Sequence, residues 1–146
     1  MTVNVLAGIN CIQVTVKKMI AEGKKASIVN ISSQAALRAS PMALGYSVSK
    51  ACVDMVTKQF ALEHGPHNIR VNSINQTAVM GGMKDVLDKE FDVEKTRVER
   101  TPLGRIATID EIVGPVLYLL SDYSAMVTGT NHIVDGGIAC NITTKQ

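Results

Sequence analysis

The sequence predicts an α/β fold in which a parallel sheet of three strands is covered by helices on both faces, as in part of a doubly wound sheet. Three observations carry this. Helical and strand patterns alternate along the chain, each candidate strand stops at a polar or glycine-rich turn, and the residues available for a core are aliphatic. The chain has 146 residues, 46% hydrophobic and 19% charged, with no Trp and two Phe. That length suffices for one buried core, which Val, Ile, Leu, Ala and Met must fill, as they do where a sheet is buried between helices.

Over residues 4–22, Val5, Ile9, Ile12, Val16, Met19 and Ile20 recur at helical spacing, and Gly23, Lys24 and Lys25 close the segment. The run 26–31 is short and β-branched, as a buried strand is, and leads directly into Ser32, Ser33 and Gln34. It therefore delivers two hydroxyls at its carboxyl end. After a loop with Pro41 and Gly45 comes a second helix over 46–63, whose expected buried face comprises Val48, Cys52, Met55, Val56, Gln59, Phe60 and Leu62. Gly65 and Pro66 end it. Residues 69–74 are the second strand, and residues 75–82 form a turn-rich stretch beyond it.

The charged stretch 83–100 has a weaker helical pattern and reads as a lid over the surface. Thr108 and Glu111 fit a capping box for a helix to about Ser121. Pro115 lies inside that helix and is expected to kink it or cost about 3 kcal/mol. Thr128 and Gly129 turn the chain into a third strand, 131–134, which stops at Asp135, Gly136 and Gly137.

Composition removes several functions. A formal net charge of +2 and few aromatic residues provide no footprint for nucleic acid. No basic leader precedes an apolar run, and no apolar stretch is long enough for a membrane span, so a cytoplasmic location is expected. Cys11, Cys52 and Cys140 form no C-x-x-C pair, which predicts free thiols and neither a disulfide framework nor a zinc site. His64, His67 and His132 lack metal-ligand spacing and read as ordinary histidines, while Met80 and Met83 read as packing under the lid. No metal is expected.

Ligands of such sheets sit at the carboxyl ends of the strands. Two of those ends, residues 32–34 and 75–82, are candidates for one site, and the third leads only to the turn at 135–137. Tyr46 and Lys50 are one helical turn apart, so their functional groups share a face. Such a pair arises by chance roughly once in fifteen trials. Its weight comes from the serine on the preceding strand end. A phenol ordinarily titrates near 10 and exchanges protons poorly at neutral pH. A neighbouring ammonium favours its ionised form, and a serine hydroxyl can hold the oxygen on which negative charge develops. Ser32 reads as a turn hydroxyl, because the spacing to Tyr46 selects Ser33.

With Ser33 and the YSVSK motif running from Tyr46 to Lys50, the chain resembles the short-chain dehydrogenase/reductase family. The resemblance covers nearly the whole length: IVNISS at 28–33, NIRVNSI at 68–74, PLGR at 102–105, LLSD at 119–122, Thr128 with Gly129, and DGG at 135–137. The wording VNV at 3–5, SSQ at 32–34, ALEHGPH at 61–67 and Val79-Met80 is similar to the branch that reduces dicarbonyls and L-xylulose.

The resemblance implies the carboxyl-terminal part of a Rossmann-like sheet, with residues 1–146 as a partial domain holding the catalytic part. The family's Gly-rich nucleotide turn and its Asn-Asn-Ala-Gly segment have no counterpart here. It implies that Asn4 anchors a water in a proton relay, Ser33 orients the carbonyl, Tyr46 is the acid/base, and Lys50 also bonds the nicotinamide ribose. Asn4 by itself would read as a helix cap. Gln34 aligns with a substrate-contacting glutamine, or satisfies its own backbone. Val79 can offer a backbone amide to the carboxamide, and Thr77 is a further cofactor contact. The implied cofactor is NADP(H), with NAD(H) as the second choice. The implied partners are a small carbonyl or sugar substrate and copies of the chain in a homo-oligomer, a tetramer in the family pattern.

Gln76 and Gly81 stand where relatives carry a Pro and a Thr, which is expected to loosen the loop and remove one cofactor bond. The alternative expectation is a truncated or degenerate paralogue that catalyses nothing and at most joins intact subunits.

Overall fold

The computed structural model describes residues 1–80 and 98–140. The expected lid at 83–100 lies almost wholly outside the described residues, as do Gly81 and Met83. A π-helical turn, Thr2–Leu6, runs into α1 (Ala7–Ala21). Then follow β1 (Ala26–Ile31), α2 (Leu44–His64), β2 (Ile69–Gln76), α3 (Ile109–Leu120) and β3 (Asn131–Val134). Thr108 and Glu111 form the expected capping box, and α3 continues through Pro115. No described helix is long and apolar enough to cross a membrane.

The sheet order is β1-β2-β3 and both pairings are parallel, with Ala26 opposite Ile69 and Ser73 opposite Asn131. Because successive side chains on a strand point to opposite faces, β2 divides its residues between two layers. Ile69 and Val71 pack with Ile12 and Val16 of α1 and Ala61 of α2. Ile74 packs on the other side with Ile112 and Leu119 of α3. The outcome is a three-layer sandwich, with α1 and α2 on one face of the sheet and α3 on the other. This is the doubly wound, Rossmann-like arrangement that the pattern predicts.

Three expectations are corrected. The buried face of α2 is only in part the apolar stripe: Val56 and Phe60 pack against the core, but Val48, Met55, Gln59 and Leu62 are exposed, and the buried residues, Ser49, Val53, Asp54, Thr57 and Ala61, are mostly polar. The sheet offers partners for that polar face. The Asn30 side chain of β1 donates to Thr57 Oγ1 at 2.9 Å, and Asn75 of β2 donates to Asp54. A buried polar group with a partner is tolerated where an unpaired one is not. Second, Asn75 and Gln76 belong to β2 and not to the turn after it; Gln76 sits opposite Val134 in the ladder. Gln76 thus ends the strand, and the amide that donates to Val134 O is that of Thr77, at 3.2 Å.

Third, the DGG segment is more than a stop. The Asp135 carboxylate accepts from the amides of Gly137 (2.8 Å) and Ala139 (2.7 Å). The turn then folds against Thr101 and Pro102 so closely that a Cβ on Gly137 would stand 2.9 Å from Pro102 Cγ.

Candidate active site

Two strand ends and the start of α2 assemble the site. Ser32 and Ser33 follow β1 and are buried. Ser32 is tied to structure on both sides, its amide donating to Ile74 O (2.8 Å) and its hydroxyl to Lys50 O (3.2 Å). It is thus the structural hydroxyl that its spacing implies. Ser33 caps the short 3-10 turn Gln34–Ala36, its Oγ accepting from the Ala35 amide at 3.1 Å. A hydroxyl has a second lone pair and a proton beyond that bond, so this cap orients Ser33 without using it up.

Tyr46 and Lys50 lie in the first turns of α2. Tyr46 is 42% exposed, which leaves its ring within reach of a small molecule. The Lys50 Nζ lies 5.7 Å from the centre of the Tyr46 ring and donates to Ile31 O at 2.8 Å. That carbonyl is the last of β1, two residues before Ser33, so Lys50 ties the start of α2 to this strand end. Burial pushes the Lys50 ammonium below its ordinary value, and the Asp54 carboxylate one turn further on opposes this. Among the described residues no hydrogen bond joins Ser33 or Lys50 to the Tyr46 hydroxyl.

Asn4 lies in the π-helical turn and does not cap a helix; its side-chain amide donates to Ser49 Oγ at 3.0 Å. Gln34 does not satisfy its own backbone. Its Oε1 accepts from Arg38 Nε at 2.6 Å, and Arg38 Nη1 donates onward to Ile138 O at 2.8 Å. With its oxygen engaged, Gln34 has its amide protons to offer.

Val79 pairs in parallel with Ala107, and the amide donated to Ala107 O is that of Met80, at 3.0 Å. The Val79 amide is not consumed in that bond. Thr77 lines a recess of about 100 Å³ with Arg105, Ala107, Val134 and Asp135. Residues after β3 therefore join the site region, a third strand end that sequence reasoning treated only as a turn. Arg38, Asn75 and Asp54 were missed as well. The signal for Asp54 was its spacing: a carboxylate four residues after Lys50, on the helix expected to be buried.

Chemically, the arrangement offers a phenol beside an ammonium, with a serine hydroxyl on the same strand end. This suits proton donation to a carbonyl oxygen. The donors also fit the reactive end of a nicotinamide. Lys50 has ammonium protons beyond the one given to Ile31, suited to ribose hydroxyls, and the Val79 amide suits a carboxamide.

A family model described as enoyl-(acyl carrier protein) reductase matches residues 1–139. The chain is similar to L-xylulose reductase of Mus musculus, 44% identical over 92% of this chain and 55% of that protein. Among solved structures it resembles a putative 2-deoxy-D-gluconate 3-dehydrogenase from Agrobacterium tumefaciens with bound NADP, with a TM-score of 0.91 and 28% identity over 96% of this chain and 57% of that one. It also resembles a 4-hydroxyisoleucine dehydrogenase mutant complexed with NADH and succinate, with a TM-score of 0.89 and 30% identity over 94% and 57% of the two chains. The chain spans about half the length of the curated relatives it matches.

Proposed function

The chain belongs to the short-chain dehydrogenase/reductase family, and on that premise we propose that, as the catalytic part of a full-length enzyme, it serves the reduction of a small ketose or dicarbonyl such as L-xylulose, with Tyr46 as the proton donor. The observation that carries the reading is the position of Lys50, which is bonded to the last carbonyl of β1 and lies beside the Tyr46 ring. It thereby links the phenol to the strand end that bears Ser33. The similarity to an L-xylulose reductase supports the substrate class.

The proposed cofactor is NADP(H), with NAD(H) as the second choice; one similar structure holds NADP and another NADH. Lys50 and the Val79 amide are the proposed contacts for it, with Thr77 as a further one. When bound, the nicotinamide supplies hydride to the carbonyl carbon. The rest falls to this chain. Ser33 orients the carbonyl oxygen, Tyr46 gives that oxygen its proton as negative charge gathers there, and the proton returns to Tyr46 from solvent past Lys50 and a water anchored at Asn4. Gln34, held by Arg38, donates its amide protons to a substrate oxygen. A homo-oligomer in the cytoplasm, a tetramer by the family pattern, is the proposed setting; the exposed Met55 and Leu62 on α2 support an assembled state.

The test is NADPH- or NADH-dependent reduction of L-xylulose by the full-length enzyme that carries these residues and by its Tyr46→Phe variant. The variant is expected to lose turnover by about 10²–10⁴-fold, the worth of a positioned acid. Equal turnover in the two proteins rejects the assignment.

A further inference from the structure

Asp54 is a buried carboxylate that the reaction outlined above does not use. It lies one turn beyond Lys50 and two beyond Tyr46, and it points into the layer between α2 and β2, where charge is costly unless it is paired. Its Oδ2 accepts from Asn75 Nδ2 at 2.6 Å. The same Nδ2 donates to Ser33 O at 3.2 Å, so one fully buried amide group bridges the carboxylate and the residue that carries the site hydroxyl. Asn75 Oδ1 faces the Ser73 hydroxyl at 3.1 Å, and that hydroxyl accepts from Asn131 Nδ2 at 2.8 Å.

The amide can sit only one way. A carboxylate and a carbonyl both accept and never donate, so the NH₂ must face them and the oxygen must face Ser73.

We propose that Asp54 is a positioning residue which, through the side chain of Asn75, holds Ser33 in register with Tyr46 and Lys50. The proposal rests on the reading of Ser33 as the group that orients the carbonyl. Asp54, Tyr46 and Lys50 share one rigid helix, while Ser33 lies past the end of β1, where ladder bonds no longer constrain it. Lys50 already joins the helix to Ile31 and Ser32, and the buried tie extends that attachment to the Ser33 backbone itself. Because the bond is to the Ser33 carbonyl, replacing the Ser33 side chain would not break it.

The Ala35 amide is the reporter, since its bond is to Ser33 Oγ. In the 146-residue chain, Asp54→Ala is expected to speed hydrogen exchange at Ala35 roughly tenfold or more, with the amides of Ile28 and Val71 in the sheet unchanged. Asn75→Ala should reproduce this effect, and adding it to Asp54→Ala should change little further. Asp54→Asn keeps an oxygen for Asn75 and should restore most of the protection. The proposal is overturned if Ala35 exchange stays within about twofold of wild type in Asp54→Ala, or if Ile28 and Val71 accelerate by the same factor, which is general loosening. Should Asp54→Ala fail to fold, the contrast between Asn75→Ala and Asp54→Asn decides by the same criteria. Exchange is read without turnover, so the Tyr46→Phe assay can fail while the tie stands, and the reverse.

Discussion

The Lys50 ammonium lies 5.7 Å from the centre of the Tyr46 ring, one helical turn away and on the same face of α2. Replacing it by Met keeps the bulk and removes both the charge and the donors. Following nicotinamide fluorescence during titration with NADPH and with NADH should show saturable binding by the wild type. In Lys50→Met it should weaken roughly 10–100-fold, the worth of a charge-assisted hydrogen bond. Absence of binding by the wild type would favour the non-catalytic alternative.

Arg105 grips Glu111 through both terminal nitrogens, at 2.7 and 2.5 Å, and the Thr108 amide adds a bond at 2.8 Å. The Arg105 hydrogen bond, helped by Thr108, holds the Glu111 carboxyl at about 2 against an ordinary value of 4.5. A carboxyl depressed by folding adds stability that is complete above its ordinary value and disappears as pH falls through the folded one. Glu111→Gln should therefore melt below the wild type near neutral pH, with the gap closing between 4.5 and about 2. A gap independent of pH across that window would contradict the assignment.

Gly137 has φ +89°, and its missing Cβ would meet Pro102 Cγ at 2.9 Å. Ala at this position suffers both from the left-handed backbone and from the clash with a ring that cannot swing aside. Urea unfolding should show a loss of about 1–3 kcal/mol for Gly137→Ala. Gly8, with nothing within 4 Å of a Cβ, should accept Ala at no cost or with a small gain from helix propensity.

Thr57 is fully buried on α2 and accepts from Asn30 at 2.9 Å while donating to Val53 O at 2.9 Å. Thr57→Val preserves shape but leaves the Asn30 amide without its acceptor, for an expected loss of about 1–3 kcal/mol. Thr57→Ser keeps the oxygen and should lose less. Equal losses for the two variants would mean that the polar face of α2 is held by packing alone.

Local sequence carried the elements and the three strand ends. The β-branched run Ala26–Ile31 and the short strand Asn131–Val134 lie where their patterns place them, and Thr108 with Glu111 forms the predicted cap. These features depend on neighbours a few residues away, through propensity, periodicity and capping. The one-turn spacing of Tyr46 and Lys50 was legible for the same reason.

What faces what was decided by the tertiary structure. Polarity alone put Val48, Met55 and Leu62 inside and left Asp54 unnoticed, whereas the fold buries Asp54 because Asn75 arrives from a different strand to bond it. The same holds for Arg38, whose second bond goes to a carbonyl a hundred positions away. A hydrogen bond forms only over about 3 Å. Partners distant in the chain therefore leave no local trace, and only the packed sheet brings them within that distance.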